Sequence, residues 1–206
     1  MPAPATHDAP VFGLVLCGGE SQRMGRDKAV LELRGRSLLE GAIAALEPLC
    51  QDVWLASGPA PRYLPLGRLE ILDRRARGTG PLAALEAGLI TLRARGERGW
   101  LLLLACDMPG AGTELFRDLL AHAQHESLDQ CGLSSARGPE PLAAVYSAAL
   151  LESVSAALDA GERKMTSPGR FPAQHGALPR VAWQARVEPA LFRNLNTPAD
   201  LEAARA

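Results

Sequence analysis

The chain has 206 residues, of which 47% are hydrophobic, and a formal net charge of −1 at pH 7. This size and composition predict one domain with a single sizeable core. The near-zero charge excludes a global field that would favour nucleic acid or an anionic membrane, so an anion site must be local. No apolar run approaches the roughly eighteen residues that a membrane-spanning helix needs, and we therefore expect no membrane partner.

The first ten residues and the cysteines indicate the cellular setting. Residues 1–10 carry three prolines and no cationic stretch before an apolar core, which predicts a disordered tail rather than a signal peptide. The four cysteines form neither a Cys-x-x-Cys pair nor a zinc spacing. We therefore expect reduced core thiols in a cytoplasmic protein.

The first apolar run, Val11 to Cys17, predicts a short buried strand that ends at Gly18 and Gly19. Glycines allow backbone N–H groups to approach a ligand closely. Three cations follow within ten residues of the first glycine: Arg23, Arg26 and Lys28. This pattern predicts a phosphate-binding loop, although the spacings of the P-loop and of the dinucleotide-binding fingerprint are both absent.

The next ninety residues alternate between helical and strand-like patterns. The periodicity predicts helices after a capping Ser37 and from Pro81, a short extended piece over 29–33, and strands over 52–57, 69–72 and 100–105. Strands separated by helices predict parallel βαβ units.

The pattern changes after a helix predicted over 113–123. Short strands are predicted over 131–135 and 142–147, with Pro139 and Pro141 between them. A helix over 148–160 and a strand over 181–187 follow. Asn196 and Thr197 then precede Pro198, a pattern that predicts a capped terminal helix.

Polar residues follow three of the predicted strands. Gly18 follows the first strand, Asp73 the third and Asp107 the fourth. Because ligands bind beyond the carboxyl ends of parallel strands, we expect these residues at one edge of the sheet. Asp107 could hold Mg²⁺ together with substrate phosphates, or could simply form the turn before Pro109. Asp73 could contact a ligand, or could pair with the neighbouring Arg74 or Arg75 at the surface.

The run Leu-Cys-Gly-Gly-Glu-Ser-Gln-Arg-Met-Gly-Arg-Asp-Lys, residues 16–28, resembles the nucleotide-binding signature of nucleoside-triphosphate transferases, most closely the MobA-like molybdenum cofactor guanylyltransferases. Cys-Asp-Met-Pro at 106–109 and Gly-Pro-Leu at 80–82 resemble further elements of that family. The resemblance implies an α/β fold, a three-layer α/β/α sandwich with a mainly parallel, Rossmann-like sheet similar to the nucleotide-diphospho-sugar transferases. It also implies a single nucleotidyltransferase domain over 11–206, with a GTP-binding part over 11–110 and an acceptor-binding part over 111–206.

The resemblance implies transfer of GMP from GTP to molybdopterin, with Mg²⁺ as cofactor and with other molybdenum cofactor biosynthesis proteins as further candidate partners. Arg23, Lys28 and Asp107 are the implied catalytic residues, with Asp107 holding the metal. Asp27 is expected to orient Lys28 or the loop. The implied nucleotide and cofactor contacts are Leu16, Cys17, Gly18, Gly19, Lys28, Asp73, Gly80, Pro81, Asp107, Asn194 and Asn196.

Two departures from the family pattern accompany the resemblance: Ala56 stands where an asparagine is common, and Ala84 stands where glycine is usual. Three alternative functions remain open. One is a cytidylyltransferase of the same fold that acts on molybdopterin or another phosphorylated small molecule. Another is a GTP-binding regulatory module without turnover. The last is a nicotinamide-dependent enzyme, which the missing dinucleotide fingerprint disfavours.

Overall fold

The structure is a computed structural model that describes residues 9–18, 27–75, 79–96, 98–185, 194–195 and 197–205. The predicted tail up to residue 8, most of the predicted phosphate loop including Gly19 and Arg23, and Asn196 lie outside the described residues. Within the described ranges, no helix is long and apolar enough to cross a membrane.

A seven-stranded sheet forms the centre of the molecule. Its strands in chain order are β1 (Val11–Leu16), β4 (Asp52–Gly58), β5 (Glu70–Leu72), β6 (Trp100–Ala105), β7 (Gln130–Ser135), β8 (Gly138–Ser147) and β9 (Val181–Ala185). Their spatial order is β5-β4-β1-β6-β8-β7-β9. In this sheet β8 runs antiparallel to both neighbours, and the other paired strands are parallel. A separate two-stranded hairpin is formed by β2 (Glu32–Leu33) and β3 (Arg36–Ser37).

Helices cover both faces of the sheet. They are α1 (Leu38–Leu46), α2 (Pro81–Arg93), α3 (Thr113–His125), α4 (Leu151–Asp159) and α5 (Pro198–Arg205). The buried residues of α1 and α3 pack in one core cluster, and those of α2 and α4 pack in a second cluster on the other face. All six residues of β6 are buried, as expected for a parallel strand covered on both sides. The predicted α/β/α sandwich with a mainly parallel sheet is confirmed.

The strand and helix predictions agree with the structure in most places. The capping box at Ser37 is present, since its hydroxyl accepts from the Glu40 N–H and the Glu40 carboxylate accepts from the Ser37 N–H. Pro81 occupies the first turn of α2 as predicted. At the C-terminus, Thr197 caps α5 through a hydroxyl that accepts from the Asp200 N–H.

Three predicted boundaries were wrong. The piece over 29–33 begins instead with a 3₁₀ turn, Lys28–Val30, before β2. The helix over 148–160 begins with a 3₁₀ turn, Ala148–Leu150, and ends at Asp159. Pro139 and Pro141 lie inside β8 rather than before it. These prolines are tolerated because β6 pairs only with residues 143–147 of β8, so the proline-containing end has a strand on one side alone.

Candidate functional site

The predicted site residues meet where the topology of the sheet changes direction. β1 lies between β4 and β6, so the chain builds outward on one side of β1 and then crosses to the other. Gly18, Asp73 and Asp107 follow the carboxyl ends of three parallel strands, β1, β5 and β6. In open α/β sheets, a crevice at such a switch point is the usual position of a ligand.

Backbone hydrogen bonds tie the strand exits together. The N–H groups of Cys17 and Gly18 both donate to the Ala56 carbonyl, at 3.1 and 2.8 Å. The Cys106 N–H donates to the Leu16 carbonyl at 3.1 Å. These groups of residues 16–18 are therefore engaged within the protein and form a rigid floor. Backbone donors for a phosphate are then expected from the residues that follow Gly18.

Gly18 is required by the close approach of β1 and β4. A Cβ at this position would lie 2.7 Å from the Gly58 nitrogen and 2.8 Å from the Ser57 carbonyl carbon. Both neighbours are backbone atoms and cannot move aside cheaply. Close packing of the two strands therefore requires glycine at position 18, a reason that the sequence did not show.

The departure at Ala56 leaves this part of the edge without a polar side chain. Ala56 is buried on the α2 side of the sheet. The Ser57 hydroxyl, the only nearby polar group that the sequence offered, is buried and donates to the Ala60 carbonyl at 3.2 Å. The Ser57 proton is therefore used within the protein.

Lys28 and Asp107 face each other across the exits of β1 and β6. The Lys28 Nζ lies 3.3 Å from the Asp107 Oδ2, and both side chains are about four-fifths buried, at 21% and 19% exposure. Lys28 is the first residue of a 3₁₀ turn. The N–H of the next residue, Ala29, donates to Asp27 Oδ1 at 3.1 Å. Asp27 thus caps the turn that carries Lys28, in line with the expectation that it orients the lysine.

The donor set at Asp107 fits a cation shared with a substrate. Among the described residues no group of three or more His, Cys, Asp or Glu side chains could hold a metal ion. Mg²⁺ is commonly bound through one or two carboxylates, with phosphate oxygens and water completing its octahedron. A partly buried carboxylate beside a lysine, outside any cluster of three such ligands in the described ranges, therefore suits Mg²⁺ delivered with a nucleotide better than a metal held by the protein alone.

The two cysteine thiols that flank the Lys28–Asp107 pair are unreactive. Cys17 and Cys106 follow β1 and β6 and are 5% and 8% exposed. Burial raises the pKa of Cys106 to about 12 and that of Cys17 further. Both thiols stay protonated near neutral pH and are poor nucleophiles. The four cysteines form no disulfide; Cys131 is also buried and Cys50 is half-buried.

Asp73 presents a carboxylate that neither of the described neighbouring arginines, Arg74 and Arg75, neutralises. Its N–H donates to the Gly58 carbonyl at 2.9 Å, which places it beside the end of β4. Burial raises the pKa of Asp73, and within the described part of the chain its carboxylate makes no hydrogen bond or ion pair. The expected alternative, a surface pair with Arg74 or Arg75, is absent. Its oxygens can therefore accept from ligand hydroxyls.

Arg75 is held elsewhere, by a cluster that the sequence did not reveal. Its guanidinium donates through Nε to Glu86 Oε2 at 2.7 Å and through Nη1 to Asp159 Oδ1 at 2.6 Å. The Ser155 hydroxyl also donates to Glu86, at 2.7 Å. Glu86 is 3% exposed within the apolar stripe of α2, and the Arg75 hydrogen bonds lower its pKa. In the sequence, the sign of this cluster was Glu86, a carboxylate within the apolar stripe of α2. The cluster ties the segment after Asp73 to α2 and α4.

The N-terminus of α2 lies at the same edge, because this helix connects β5 to the parallel β6. Gly80 has φ +71°, a conformation that favours glycine, and no atom of the described residues lies within 4 Å of the place a Cβ would occupy. Pro81 follows at the first helical position. The partial positive charge of a helix N-terminus favours an anion here. Ala84 packs into the core on the α2 face.

Asn194 reaches the centre from the far end of the chain. The Leu195 N–H donates to the Asp107 carbonyl at 2.9 Å. Leu195 is fully buried in a small third cluster with Leu38 and Leu201. The Asn194 Oδ1 is buried and has no hydrogen-bond partner in the described part of the chain. The Leu195–Asp107 bond thus places Asn194 one residue from the end of β6, and its contact with a nucleotide stays a prediction.

Sequence comparisons identify relatives over nearly the whole chain. The family model described as the MobA-like NTP transferase domain matches residues 13–177. A Mycobacterium marinum protein named probable molybdenum cofactor guanylyltransferase is 36% identical over 93% of this chain and 91% of its own. A Shewanella halifaxensis protein named molybdenum cofactor guanylyltransferase is 32% identical over 92% of this chain and 91% of its own.

Solved structures share the fold. A crystal structure titled molybdopterin-guanine dinucleotide biosynthesis protein A, from Archaeoglobus fulgidus, has a TM-score of 0.74 at 24% identity and covers 94% of this chain and 96% of its own. A 2-C-methyl-D-erythritol 4-phosphate cytidylyltransferase from Thermus thermophilus has a TM-score of 0.62 at 17% identity and covers 93% and 96%. At these identities the likeness is one of fold.

Proposed function

The chain belongs to the family of MobA-like NTP transferases, and on that premise we propose that it transfers GMP from GTP to the terminal phosphate of molybdopterin, releasing pyrophosphate. The names of the relatives that cover most of the chain support the substrates. The observation that carries the proposal in this molecule is the Lys28–Asp107 contact at the topological switch point of the sheet.

The reaction joins two phosphates and needs no protein nucleophile. An oxygen of the acceptor phosphate attacks the α-phosphorus of GTP, and the bond to the β-phosphate breaks, with pyrophosphate leaving. Such transfers depend on positioning and on stabilisation of charge. The high pKa of Cys106 agrees with a site that offers no thiolate.

The cationic residues of the loop are assigned to the triphosphate. Lys28 neutralises charge on the leaving pyrophosphate, together with Arg23, which stays a prediction because it lies outside the described residues. In the structure Lys28 is held against Asp107, so its ammonium is already at the strand exits where the phosphates would lie. Asp27 keeps it there by capping its turn.

Asp107 is assigned to Mg²⁺, with the substrate phosphates as the other ligands. When bound, the cation would neutralise phosphate charge and fix the orientation of the triphosphate. The backbone of Asp107 is held in place because its carbonyl accepts from the Leu195 N–H.

Asp73 and the start of α2 are assigned to the nucleoside and its phosphates. The carboxylate of Asp73 suits ribose or base donors, since no protein cation satisfies it in the described part of the chain. Gly80 and Pro81 give the helix an open N-terminus. Leu16, Cys17 and Gly18 form the floor, and Gly19, which lies outside the described residues, stays a predicted backbone donor.

The second part of the chain is assigned to the acceptor. We place GTP on residues 11–110 and molybdopterin on 111–206, with Asn194 and Asn196 facing the phosphates between them. The Asn194 Oδ1, which is buried and has no hydrogen-bond partner among the described residues, can accept only from a donor on the ligand, such as a hydroxyl or ring N–H group beside the phosphates. Other proteins of molybdenum cofactor biosynthesis are the candidate suppliers of the acceptor.

The decisive experiment measures pyrophosphate release with GTP, CTP and ATP, each with and without molybdopterin, at fixed Mg²⁺ and after its removal by a chelator. We expect release with GTP only when both acceptor and Mg²⁺ are present. Preference for CTP would make the protein a cytidylyltransferase. GTP binding without release would make it a nucleotide-binding module. Undiminished release after chelation would remove the metal from the proposal.

A further inference from the structure

Tyr63 occupies a position between the two ends of the predicted phosphate loop. It lies in the connection between β4 and β5 and is 6% exposed. Its hydroxyl oxygen is 2.8 Å from Asp27 Oδ2, where the chain returns from the loop. The same oxygen is 3.1 Å from the Cys17 carbonyl, where the chain enters it. One side chain therefore contacts both ends.

The hydroxyl has a single proton, so it donates to one of the two acceptors at a time. The Asp27 carboxylate is the nearer acceptor and the stronger one, because hydrogen bonds to an ionised group are about twice as strong as neutral ones. Arg62 adds a second contact to the same carboxylate, with Nη2 2.6 Å from Asp27 Oδ2. Both donors come from one dipeptide.

That dipeptide is itself fixed to the sheet. The N–H groups of Arg62 and Tyr63 donate to the two carboxylate oxygens of Glu70, at 2.8 and 2.9 Å. Glu70 is the first residue of β5. Burial would raise the pKa of Glu70, but hydrogen bonds, among them those from the Arg62 and Tyr63 N–H groups, outweigh burial and lower it.

The contacts form a continuous chain from β5 to the reacting centre. Glu70 fixes the backbone of Tyr63, and the Tyr63 hydroxyl holds Asp27. Asp27 in turn caps the turn that presents Lys28 to Asp107. We propose that Tyr63 is a positioning residue that places Lys28 for the triphosphate by holding Asp27. This inference extends the proposed function and rests on it for the identity of the nucleotide.

The test uses the two tyrosines of the chain as a matched pair. Tyr63→Phe removes the hydroxyl that reaches Asp27. Tyr146→Phe removes a hydroxyl that donates to the Pro141 carbonyl at 2.7 Å, in β8, a strand that β6 separates from β1 in the sheet. Each variant loses one buried hydroxyl contact, so a general effect on stability should appear in both.

The first measurement needs no substrate. Amide hydrogen exchange is followed at Ala29, whose N–H donates to Asp27, and at Leu31, whose N–H donates to the Lys28 carbonyl. We expect exchange at both amides to be about tenfold faster in Tyr63→Phe, because the turn opens more often without its anchor, and unchanged in Tyr146→Phe. Unchanged exchange in Tyr63→Phe would overturn the inference.

The second measurement is steady-state transfer. We expect Tyr63→Phe to lower kcat/KM for GTP about tenfold while the KM for molybdopterin stays as in the wild type, since the contact acts on the nucleotide side alone. An equal change for both substrates, or none, in an active enzyme would overturn the inference. A wild-type protein that releases no pyrophosphate would refute the proposed function instead, and the exchange comparison would still decide whether Tyr63 holds the turn.

Discussion

The two parts of the molecule that meet at Asp107 are built in different ways. On one side, β5, β4, β1 and β6 are consecutive parallel strands whose exits supply Asp73, Gly18 and Asp107 in the order of the sheet. On the other side, β8 is antiparallel, and the residue brought to the centre, Asn194, comes from a segment held by a small leucine cluster. In the first part, the positions of the site residues follow from the local sequence pattern of strands and helices. In the second part, the position of Asn194 depends on contacts between segments that are distant along the chain.

This difference teaches how firmly each part holds its site residues. The strand exits are tied by backbone bonds at the ends of β1, β4 and β6, whose residues are mostly buried. Asn194 depends on one backbone bond, from Leu195 to Asp107, and on Leu38 and Leu201. We therefore expect mutations to affect the two parts unequally, and each of the following tests is designed to expose that difference.

The largest effect on stability is expected from the link between the two parts. Arg75→Ala leaves the Glu86 carboxylate buried without its cation and also breaks the contact to Asp159 on α4. Removing one partner of a buried pair is expected to cost about 3 kcal/mol in the free energy of unfolding, measured by urea denaturation. Arg117→Ala, which breaks an exposed pair with Glu114, is the control and should cost at most about 1 kcal/mol. Equal costs would show that the Arg75 cluster contributes no more than a surface pair.

The next test removes the charges on the nucleotide side. Lys28→Ala and Asp107→Ala should each reduce GMP transfer at least about 100-fold, the effect of losing a single charge-stabilising group, while both proteins remain folded. Pyrophosphate release and circular dichroism measure the two properties, and Arg117→Ala should behave like the wild type in both. Turnover near the wild-type rate in either variant would remove that residue from the mechanism.

A smaller effect is expected on the other side of Asp107. Leu195→Ala shortens a fully buried side chain that docks Asn194 beside Asp107. If docking weakens by about 1.4 kcal/mol, transfer should fall roughly tenfold. Because α1 and the sheet keep their own core, the main unfolding midpoint should fall only slightly. Leu178→Ala, at a leucine that is 57% exposed, is the control. If Leu195→Ala lost stability but still transferred GMP at the wild-type rate, Asn194 would have no role in the reaction.

The smallest effect is a pH dependence of stability. The Arg75 hydrogen bonds hold the pKa of Glu86 below its ordinary value of 4.5. A carboxylate with a lowered pKa stabilises the folded state above the ordinary pKa, and this contribution is lost as the pH falls through the lowered value. Unfolding free energy should therefore decrease below about pH 4.5, and Glu86→Gln should decrease less steeply over that range. If the unfolding free energies of the wild type and of Glu86→Gln decreased equally with falling pH, the result would contradict the assignment of this pH dependence to Glu86.

Several features of the fold and of the candidate site could be predicted from local sequence. The unbroken apolar run 100–105 identified β6, the Ser37 capping box identified the start of α1, and Gly80–Pro81 identified the start of α2. Each signal lies within a few residues of the structure it specifies. The same property made the resemblance at 16–28 informative, because a phosphate loop is a contiguous segment.

Other features could not be predicted, because the cause lies in residues distant along the chain. Gly18 is required by the backbone of β4 as well as by any ligand. Asp73 does not pair with Arg75, because Glu86 and Asp159 hold that guanidinium. Tyr63 has no local motif and becomes informative only when Asp27 and Cys17 are seen on either side of its hydroxyl.

The sequence by itself determined the order of strands and helices, the parallel sheet and the family, because periodicity, caps and contiguous motifs are encoded over short distances. The tertiary structure decided which charges meet. It placed Lys28 against Asp107 and paired Arg75 with Glu86 instead of Asp73. It also placed Asn194 beside the end of β6. The physical reason is that ion pairs and buried hydrogen bonds depend on distances of a few ångströms between residues that lie far apart in the chain, and only the packed core sets those distances.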